Sequence, residues 1–341
     1  MLPSAPAASI DAPAVAARLV AFGGPDQIEV QTLPTPEPGP GEARVVIEAS
    51  SVQFTDTLIR RGRYPDLPTR PPVTLGYDLV GRVDAVGPGV TEVAVGDRVA
   101  DLVMIGGNAR YAIRPAAGLV PVPESVDAAE AVTLVLSWQS AQQAVFRVGQ
   151  AQPGDRVLVL GGNGAVGQAA IVLAKAAGCE VFATARERHH ELLRALGATP
   201  LPRDGWLDAV RGQMDVVLDG VAADRFRSPA AALRRGGRLV AIGMSALVGG
   251  PMWRLVAAGL ALLWLYVVPN GLTIRFYSIT ARRKTHPEDF REDLETLFEH
   301  LATDRLRPAV ERRIGLHEVA DAHRALERGG LVGKIVVEPS R

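Results

Sequence analysis

The feature that most constrains the fold is the run Gly162-Asn163-Gly164-Ala165-Val166-Gly167, which directly follows the strand-like segment RVLVL. Glycines in this G-x-G-x-x-G spacing allow a tight turn, close packing of helix on strand, and approach of backbone N–H groups to a pyrophosphate. Because the run lies between a predicted strand and a predicted helix, it predicts a dinucleotide site at Gly162, Gly164, Ala165, Val166 and Gly167. A glycine turn that serves only the fold is the alternative.

Strands and helices alternate around this run. The pattern predicts strands at 157–160, 180–184, 216–218 and 238–242, and helices at 165–177, 187–196 and 223–234. Glycines close these helices, as left-handed helix caps require. Alternation of strand and helix predicts an α/β fold with a parallel, doubly wound sheet.

The two ends of the chain have other patterns. Residues from about 18 to 123 consist of short Val-rich runs between Gly/Pro turns, which is typical of an antiparallel, β-rich domain. The last part predicts helices at 288–302 and 316–328 and a strand at 334–337. The Ala- and Pro-rich start has no signal-like pattern and is interpreted as a flexible tail.

Composition removes several classes of partner and site. The chain has 37 basic and 37 acidic residues, so no overall field steers it toward nucleic acid, and no nucleic-acid partner is expected. One cysteine, Cys179, forms no internal disulfide and supplies no multi-thiolate metal site. This cysteine usage favours a reducing, cytoplasmic compartment.

An apolar run of fourteen residues, 255–268, is the candidate for membrane contact. A membrane-spanning helix needs roughly 20 such residues. We therefore expect a buried or interface helix without stable membrane insertion, and contact with lipid is the alternative.

The end of the second predicted strand discriminates between nicotinamide cofactors. An acidic residue there binds the ribose 2′-hydroxyl of NAD, whereas arginine accommodates the 2′-phosphate of NADP. Thr184 stands about where the acid would be, and Arg186 and Arg188 follow it. The segment predicts NADPH as the cofactor, and two solvated surface arginines are the alternative.

Further motifs occur in an order that is typical of one family. They are Gly76-Tyr77-Asp78-x-x-Gly81-x-Val83-x-x-Val86-Gly87, Val95-Gly96-Asp97-Arg98-Val99, Gly107-Asn108-Ala109-Arg110-Tyr111, the glycine run, Gly236-Gly237-Arg238-Leu239-Val240 and Gly333-Lys334-Ile335-Val336-Val337. The chain from about residue 18 to 339 resembles the medium-chain dehydrogenase/reductase superfamily. Within it, the chain is most similar to the zinc-free quinone oxidoreductase (zeta-crystallin-like) branch.

The resemblance implies a GroES-like, β-rich catalytic domain and a Rossmann cofactor-binding domain, with the C-terminal segment returning to the first. The expected organisation is a flexible tail at 1–17, the GroES-like domain at 18–132 and 281–341, and the Rossmann domain at 133–280. In the superfamily the last Rossmann strand commonly pairs with its copy in a second subunit. Because 272–279 has a strand pattern, a homodimer is expected.

The resemblance also bears on metal binding. Zinc-dependent relatives bind a catalytic metal through the histidine of a G-H-E motif together with cysteines, and Tyr77 stands at that histidine position here. We therefore expect no metal. Since polarising a simple alcohol or aldehyde oxygen is harder without a Lewis acid, a conjugated substrate is favoured.

Three residues are candidates for catalysis. In the quinone reductase branch, a loop V-N-x-x-D-x-x-x-R-x-G-x-Y is similar to 52–64 here, with Gln53 in place of the asparagine that contacts the nicotinamide and substrate region. Tyr64 matches a position near the pocket, with a packed loop aromatic as the alternative, and Tyr77 is expected to point into the cleft. Asp56 and Arg60 of the same loop are interpreted as an i, i+4 helical ion pair.

The resemblance carries further cofactor contacts to Ser140, Asp219, Gly243, Met244 and Lys334. Arg203 is expected to compensate for a tyrosine that the branch commonly has near the 2′-phosphate. The expected activity is NADPH-dependent reduction of a small-molecule quinone or α,β-unsaturated carbonyl compound. The alternatives are an enoyl-thioester reductase and a non-catalytic NADPH-binding or membrane-associated protein of the vesicle amine transport type.

Overall fold

The computed structural model describes residues 13–64, 70–243 and 252–341. The chain forms two compact units. The first, the β-rich unit, comprises the described residues up to Leu136 and those of Leu294–Arg341, and the second, the parallel-sheet unit, comprises Ser137–Asp293. The divisions fall after Leu136 and Asp293, whereas the sequence analysis placed them after residues 132 and 280.

The amino-terminal part of the β-rich unit is built mainly from strands. Its elements are β1 (Ala14–Leu19), β2 (Ile28–Leu33), β3 (Glu42–Val52), α1 (Phe54–Arg60), β4 (Val73–Thr74), β5 (Asp78–Val86), β6 (Arg98–Leu102), β7 (Tyr111–Pro115), β8 (Val120–Pro121) and α2 (Ala128–Thr133). Strand β1 corrects the predicted tail at 1–17, because its antiparallel pairing with β2 places the chain from Ala14 onward in a sheet.

The parallel-sheet unit alternates strands with helices. Its elements are α3 (Gln139–Gln142), β9 (Arg156–Leu160), α4 (Ala165–Ala176), β10 (Glu180–Ala185), α5 (His190–Ala195), β11 (Thr199–Pro202), α6 (Leu207–Val210), β12 (Met214–Asp219), α7 (Arg227–Ala232), β13 (Leu233–Ala241), α8 (Met252–Val267), β14 (Thr273–Phe276) and α9 (Ile279–Thr285). Helix α10 (Pro287–Ala302) contains the division after Asp293. The carboxyl-terminal part of the β-rich unit then adds β15 (Val310–Ile314), α11 (Val319–Arg328) and β16 (Lys334–Val337).

The larger sheet of the β-rich unit has the order β15-β16-β3-β5-β6-β8, with β7 also paired to β3. Strands β15 and β16 are parallel, whereas β16 runs antiparallel to β3. In that pairing Ile335 lies opposite Val52 and Val336 opposite Ser51. The register therefore brings the start of β16, at Lys334, to the end of β3, next to Gln53.

The sheet of the parallel-sheet unit has the order β11-β10-β9-β12-β13-β14, and all its strand pairs are parallel. This is the 3-2-1-4-5-6 order of a doubly wound dinucleotide-binding sheet. The prediction of a parallel, doubly wound sheet is confirmed. Because ligands of such sheets bind at the carboxyl ends of the strands, we expect a ligand near the residues that follow β9, β10 and β12.

The predicted helix at 223–234 is wrong over much of its length. Helix α7 covers only Arg227–Ala232, and β13 begins at Leu233. The carboxylate of Asp219 accepts the backbone N–H groups of Val221 at 2.7 Å and Ala222 at 2.9 Å, which holds the chain in a turn. Phe226 then has a left-handed φ of 66°, so a helix cannot run through this segment.

The predicted helix at 187–196 is also divided. A single 3₁₀ turn covers Glu187–His189, and the α-helix proper, α5, begins only at His190. Strand β10 and the carboxyl end of α5 nevertheless lie within one residue of where the alternation predicts them.

Helix α8 was expected to be buried or covered by an interface. One face packs on the core of the parallel-sheet unit, with Ala258 buried and Leu255, Leu262 and Leu265 partly buried against it. The opposite face is exposed, with Trp253 63% and Trp264 67% accessible. In the single chain the helix is therefore buried on its inner face only, and cover of the outer face by an interface stays a prediction. Within the described ranges, no helix is both long and apolar enough to cross a membrane.

Candidate active site

The glycine run forms the loop between β9 and α4. Thr184 at the end of the neighbouring strand β10 holds this loop in place, since its backbone carbonyl accepts the N–H of Gly162 at 2.9 Å. Its side-chain hydroxyl oxygen also accepts the N–H of Gly161 at 3.1 Å. Thr184 is thus bonded to the loop through both backbone and side chain, in addition to any contact with a cofactor.

The glycines of the run serve different purposes. A Cβ atom on Gly167 would lie 2.5 Å from the carbonyl oxygen of Gly161, and one on Gly162 would lie 2.8 Å from the Cβ of Ala183. These two positions have no room for a side chain because helix, loop and strand touch there. At Gly164 the nearest atom to an added Cβ is 3.4 Å away, and the residue is exposed. Gly164 therefore keeps an open approach to the loop.

Helix α4 presents its amino terminus at this loop. Gly164 is the N-cap and provides no side-chain hydrogen bond to the first turn. The backbone N–H groups at Ala165, Val166 and Gly167 lack carbonyl partners within the helix, as in any first turn, and carry partial positive charge. This donor set fits the pyrophosphate of a dinucleotide.

Arginines lie at the same edge of the sheet. Ala185 of β10 pairs with Pro202 of β11, so Arg186 and Arg203 follow at neighbouring strand ends, and both are exposed. The guanidinium of Arg188 donates to Nε2 of His189 at 3.1 Å. Burial lowers the pKa of His189, and the charges of Arg188 and Arg186 lower it further. Three arginines therefore lie at this edge, together with the exposed carboxylates of Glu187 and Asp204.

Asp219 ends β12 at this edge and is fully buried. One carboxylate oxygen accepts the two turn N–H groups described above, while Oδ2 has no hydrogen-bond partner among the described residues. Burial raises the pKa of Asp219 to about 6. The N–H of Gly243, after β13, lies 3.4 Å from the Asp219 carbonyl oxygen. Met244 lies outside the described residues.

Ser140 is buried in α3, within a polar network that the sequence analysis did not find. The phenol of Tyr277 donates to Oε1 of Gln143 at 3.1 Å, and Gln143 in turn donates to Asp293 at 3.1 Å. Burial raises the pKa of Tyr277, and hydrogen bonding with Ser140 opposes that shift. Ser140 is thus positioned by side chains far from it in sequence.

In the β-rich unit, the structure brings two predicted site residues together. The phenol oxygens of Tyr64 and Tyr77 lie 2.6 Å apart, within hydrogen-bond distance. The rings meet edge to face, with centroids 6.0 Å apart and planes at 89°. Tyr77 is buried and Tyr64 is half-buried. We call these two residues the tyrosine pair.

Gln53 occupies a different environment. Its amide Nε2 donates to Asp78 at 2.7 Å and to the Ser51 hydroxyl, and its Oε1 accepts from the ammonium of Lys334. Asp56 accepts the backbone N–H of Gln53 at 2.8 Å. We call Ser51, Gln53, Asp56, Asp78 and Lys334 the buried polar cluster. Its contacts use both N–H groups of the Gln53 amide, so substrate contact by Gln53 stays a prediction.

The buried polar cluster holds two carboxyl groups and one ammonium. Burial raises the pKa of Asp56 to about 7 and that of Asp78 to about 6, and the charge of Lys334 opposes both shifts. Burial lowers the pKa of Lys334 to about 8, against the attraction of the two carboxylates. Because carboxyl groups outnumber the ammonium, the cluster favours retention of a proton near neutral pH.

Comparisons with known proteins agree with this geometry. Residues 39–124 match the family model of the alcohol dehydrogenase GroES-like domain, and residues 196–337 match the model described as zinc-binding dehydrogenase. The chain is 30% identical to the synaptic vesicle membrane protein VAT-1 homolog of Rattus norvegicus, over 94% of this chain and 83% of the relative. The chain belongs to the medium-chain dehydrogenase/reductase superfamily.

Other relatives of this superfamily are much longer. The chain is 32% identical, over 92% of its length, to the phthioceranic/hydroxyphthioceranic acid synthase of Mycobacterium tuberculosis, but spans only 15% of that protein. Among solved structures, a mycobacterial quinone oxidoreductase is 29% identical with a TM-score of 0.81, covering 96% of this chain and 100% of that one. The CurK enoyl reductase is 25% identical with a TM-score of 0.81, covering 96% of this chain and 99% of that one.

Superfamily membership confirms the predicted fold class, a GroES-like β-rich domain together with a Rossmann-like parallel-sheet domain. It also makes the chain a member of an oxidoreductase superfamily whose proteins bind nicotinamide cofactors. The uncapped helix terminus, the close-packed glycines and the orphaned oxygen of Asp219 fit such a cofactor. The individual cofactor contacts stay predictions.

The predicted ion pair between Asp56 and Arg60 is wrong. Asp56 caps the amino terminus of α1 instead, and the guanidinium of Arg60 donates to the Gly23 carbonyl at 2.6 Å and to Glu327 of α11. Arg60 is fully buried, so the nearby carboxylate of Glu327 and the Gly23 carbonyl satisfy it better than a residue one helical turn earlier. A local spacing rule could not reveal these partners, which come from other elements.

The described residues contain no group of three or more His, Cys, Asp or Glu side chains that could hold a metal ion. Absence of a metal therefore stays a prediction for the whole chain. Ser51, Asp56 and Asp78 were not predicted as partners of site residues; Asp56 and Asp78 belong to motifs quoted above, and Ser51 directly precedes the first of these.

Proposed function

We propose that this protein is an NADPH-dependent reductase of quinones or α,β-unsaturated carbonyl compounds. The observation that carries the proposal is the tyrosine pair, of which Tyr77 stands where zinc-dependent members of the superfamily have a metal-binding histidine. Hydrogen-bond donors stabilise a negatively charged oxygen as it develops, which is what reduction of a conjugated carbonyl requires. Bound NADPH supplies the hydride.

The tyrosine pair has two tasks in this proposal. Since each hydroxyl lies within hydrogen-bond distance of the other, the pair polarises its O–H groups and fixes their direction. One of these groups hydrogen-bonds the substrate oxygen and stabilises the enolate or hydroquinone anion. A phenol with a pKa near ~10 is poorly matched to proton transfer at neutral pH, so solvent completes protonation.

Support for NADPH over NADH comes from the arginines at the carboxyl ends of β10 and β11. Arg186 and Arg203 lie at neighbouring strand ends, and Arg188 adds a third cation. Thr184, where an acidic residue would select NAD, is instead bonded to the glycine loop. A dianionic 2′-phosphate is therefore the better ligand for this edge than a neutral ribose hydroxyl.

The direct test is anaerobic oxidation of NADPH with a panel of quinones, enones and enoyl thioesters. We expect turnover with at least one quinone or enone. Turnover confined to enoyl thioesters would replace the proposal by its closest alternative, and cofactor binding without turnover would favour a non-catalytic binding protein of the vesicle amine transport type.

An enoyl-thioester substrate is favoured by specific relatives. The chain is similar to 15% of an acid synthase and to the CurK enoyl reductase. Reduction of an enoyl thioester also places negative charge on a carbonyl oxygen, so the same tyrosine pair serves it. The panel separates the two substrate classes by their specificity constants.

Removal of either phenol tests the role of the tyrosine pair. Tyr64→Phe and Tyr77→Phe should each lower kcat/KM about tenfold to a hundredfold, comparable to one hydrogen bond lost to an anionic centre. The affinity for NADPH, measured by fluorescence titration, should remain unchanged. Full activity in both variants and in their combination would make the two tyrosines packing residues.

We propose further that the protein is a metal-free, cytoplasmic homodimer. Strand β14 is an edge strand in the described sheet order, its Phe276 is exposed, and the outer face of α8 is exposed as well. A second copy would cover both. Light scattering should report a dimer, elemental analysis far less than one zinc per chain, and sedimentation no association with liposomes; a monomer, stoichiometric zinc or liposome binding contradicts the respective part.

A further inference from the structure

The buried polar cluster touches the backbone on both sides of Tyr77. Asp78, the next residue, accepts from the Ser51 hydroxyl at 2.9 Å and from the Gln53 amide at 2.7 Å. On the preceding side, the backbone N–H of Gly76 lies close enough to Asp56 to lower the pKa of that carboxyl. The cluster therefore determines where the segment that carries Tyr77 lies.

The same cluster determines where α1 begins. Gln53 is the N-cap of α1, and Asp56 in its first turn closes a capping box on the Gln53 backbone. Tyr64 follows only four residues after the end of this short helix. Both members of the tyrosine pair are thus attached to segments that the cluster anchors.

Lys334 supplies the positive charge of the cluster. Its ammonium donates to Oε1 of Gln53 and lowers the pKa values of Asp56 and Asp78 by attraction. It enters from β16, whose pairing with β3 sets it beside Gln53. Since the Gln53 amide donates onward to Asp78, a continuous chain of contacts leads from Lys334 to the residue after Tyr77.

We infer that Lys334 is a positioning residue that holds the tyrosine pair in its hydrogen-bonded geometry through Gln53 and Asp78. The contribution of this arrangement to catalysis rests on the proposed function of the pair. The geometric part does not, because it concerns the distance between two phenol oxygens. This role differs from the cofactor contact that the superfamily resemblance implies for Lys334.

Lys334→Met separates the two roles, since it keeps an unbranched chain and removes the ammonium. A positioning residue predicts a tenfold or larger loss of kcat with an NADPH dissociation constant within about twofold of the parent. If Lys334 instead binds the cofactor, the substitution should lower NADPH affinity tenfold or more while kcat is retained. That result overturns the inference.

Loss of the cation leaves two buried carboxyl groups without a positive partner, so the single variant is expected to be less stable. Lys334→Met combined with Asp78→Asn removes one carboxylate and should recover much of the lost Tm while kcat stays low. The matched control is Val337→Ala on the same strand, which is buried in the apolar core away from the cluster. It should lower Tm but leave kcat unchanged; an equal loss of kcat in the control overturns the inference.

Two further measurements make the test specific to the tyrosine pair. If Lys334 acts through the tyrosine pair, Lys334→Met should lower kcat only slightly further in a Tyr77→Phe background. If the effects of the two substitutions on kcat instead multiply, the two residues act independently and the inference is wrong. Carbon-13 NMR of ring-labelled tyrosine, assigned with Tyr64→Phe and Tyr77→Phe, should show both Cζ resonances displaced in the folded double variant. Unchanged resonances overturn the inference, while displaced resonances in a protein that reduces no conjugated substrate refute the proposed function alone.

Discussion

The two candidate sites differ in how their polar groups are satisfied. In the β-rich unit, the buried polar cluster bonds its carboxylates, amide and ammonium to one another, and the two phenols of the tyrosine pair meet. At the carboxyl edge of the parallel sheet, the described residues provide no side-chain cap for the amides of α4 and no partner for one oxygen of Asp219, and Arg186 is exposed. Apart from Asp56 Oδ1, which has no hydrogen-bond partner among the described residues, the polar groups of the first region are bonded within that region, whereas the second region presents donors and cations suited to a ligand.

From this difference we expect substitutions in the first region to affect stability and substitutions in the second to affect cofactor binding. A change in a region whose groups satisfy each other leaves a buried partner unpaired, so its cost appears first in stability. A substitution at the ligand edge leaves no buried group of the protein unpaired, so its cost appears as a lower affinity for the cofactor.

Gly167→Ala should lower the stability of the protein. Although Gly167 lies in the ligand loop, it is packed closely against backbone atoms. The added methyl would lie 2.5 Å from the Gly161 carbonyl oxygen and 2.9 Å from the Gly162 Cα, both backbone atoms. We expect a loss of about 3 kcal/mol in the free energy of unfolding, at the upper end of overpacking costs. Urea denaturation measures it.

Gly164→Ala is the matched control in the same loop. Its φ is −76°, and an added methyl would meet its nearest neighbour at 3.4 Å, so the fold should tolerate it. Its stability should stay within about 0.5 kcal/mol of the parent, while NADPH affinity falls because the methyl obstructs the approach to the helix terminus. Equal destabilisation by both alanines would contradict the separation of packing and binding glycines.

Arg186→Ala should act on binding alone. Loss of a charge-assisted contact to the 2′-phosphate corresponds to roughly 1.5–3 kcal/mol, or about tenfold to a hundredfold in NADPH affinity. NADH affinity and Tm should not change, since the side chain is exposed. Arg194→Ala, on an exposed arginine that pairs with Glu191 of its own helix, is the control and should alter neither affinity. Equal affinity of the unmodified protein for both cofactors would refute the assignment.

The sequence predicted the second region far better than the first. The glycine run, the strand ends and the arginines are local patterns, and the parallel sheet brings them to one edge by its topology alone. The buried polar cluster instead joins Gln53 to Lys334 across most of the chain, through the register of β16 on β3. Neither periodicity nor capping rules contain that register.

Where the predictions from spacing were wrong, other hydrogen bonds, some local and some long-range, took their place. The helical spacing of Asp56 and Arg60 predicted an ion pair, but Asp56 accepts the Gln53 backbone N–H in a local helix cap, and Arg60 makes a tertiary contact with Glu327. The predicted helix at 223–234 lost its first turn to the bonds that Asp219 accepts from the following backbone. Tyr64 and Tyr77 were predicted as site residues by resemblance, yet only the structure joins their hydroxyls.

His323 is a buried group of the β-rich unit whose ring nitrogens have no hydrogen-bond partner among the described residues, in contrast to the Gln53 amide. Its side chain is fully buried. Burial lowers the pKa of His323 to about 3, and the neighbouring Arg60 of α1, itself bonded to Glu327 of α11, lowers it further. The folded state therefore requires the neutral imidazole.

The unfolded chain binds a proton at His323 below pH ~6.5, while the folded chain does not until about pH 3. The stability from this group is thus complete above pH ~6.5 and is lost as the pH falls toward 3. Between pH 8 and pH 5 the loss should be about 2 kcal/mol relative to His323→Leu, measured by urea denaturation at both values. The raised-pKa carboxyls titrate alike in both proteins, so parallel profiles would contradict the assignment.

Substitution of Thr184 should have the smallest effect. This residue hydrogen-bonds the glycine loop and also lies beside the arginines of the ligand edge. Thr184→Val keeps the shape and removes the hydroxyl oxygen that accepts the Gly161 N–H at 3.1 Å. Loss of this partly exposed bond should cost about 1 kcal/mol in the free energy of unfolding. Since the loop serves the pyrophosphate that both cofactors share, the affinities for NADPH and NADH should fall together by a few fold. A loss confined to NADPH would instead place the hydroxyl at the 2′-phosphate, with the arginines.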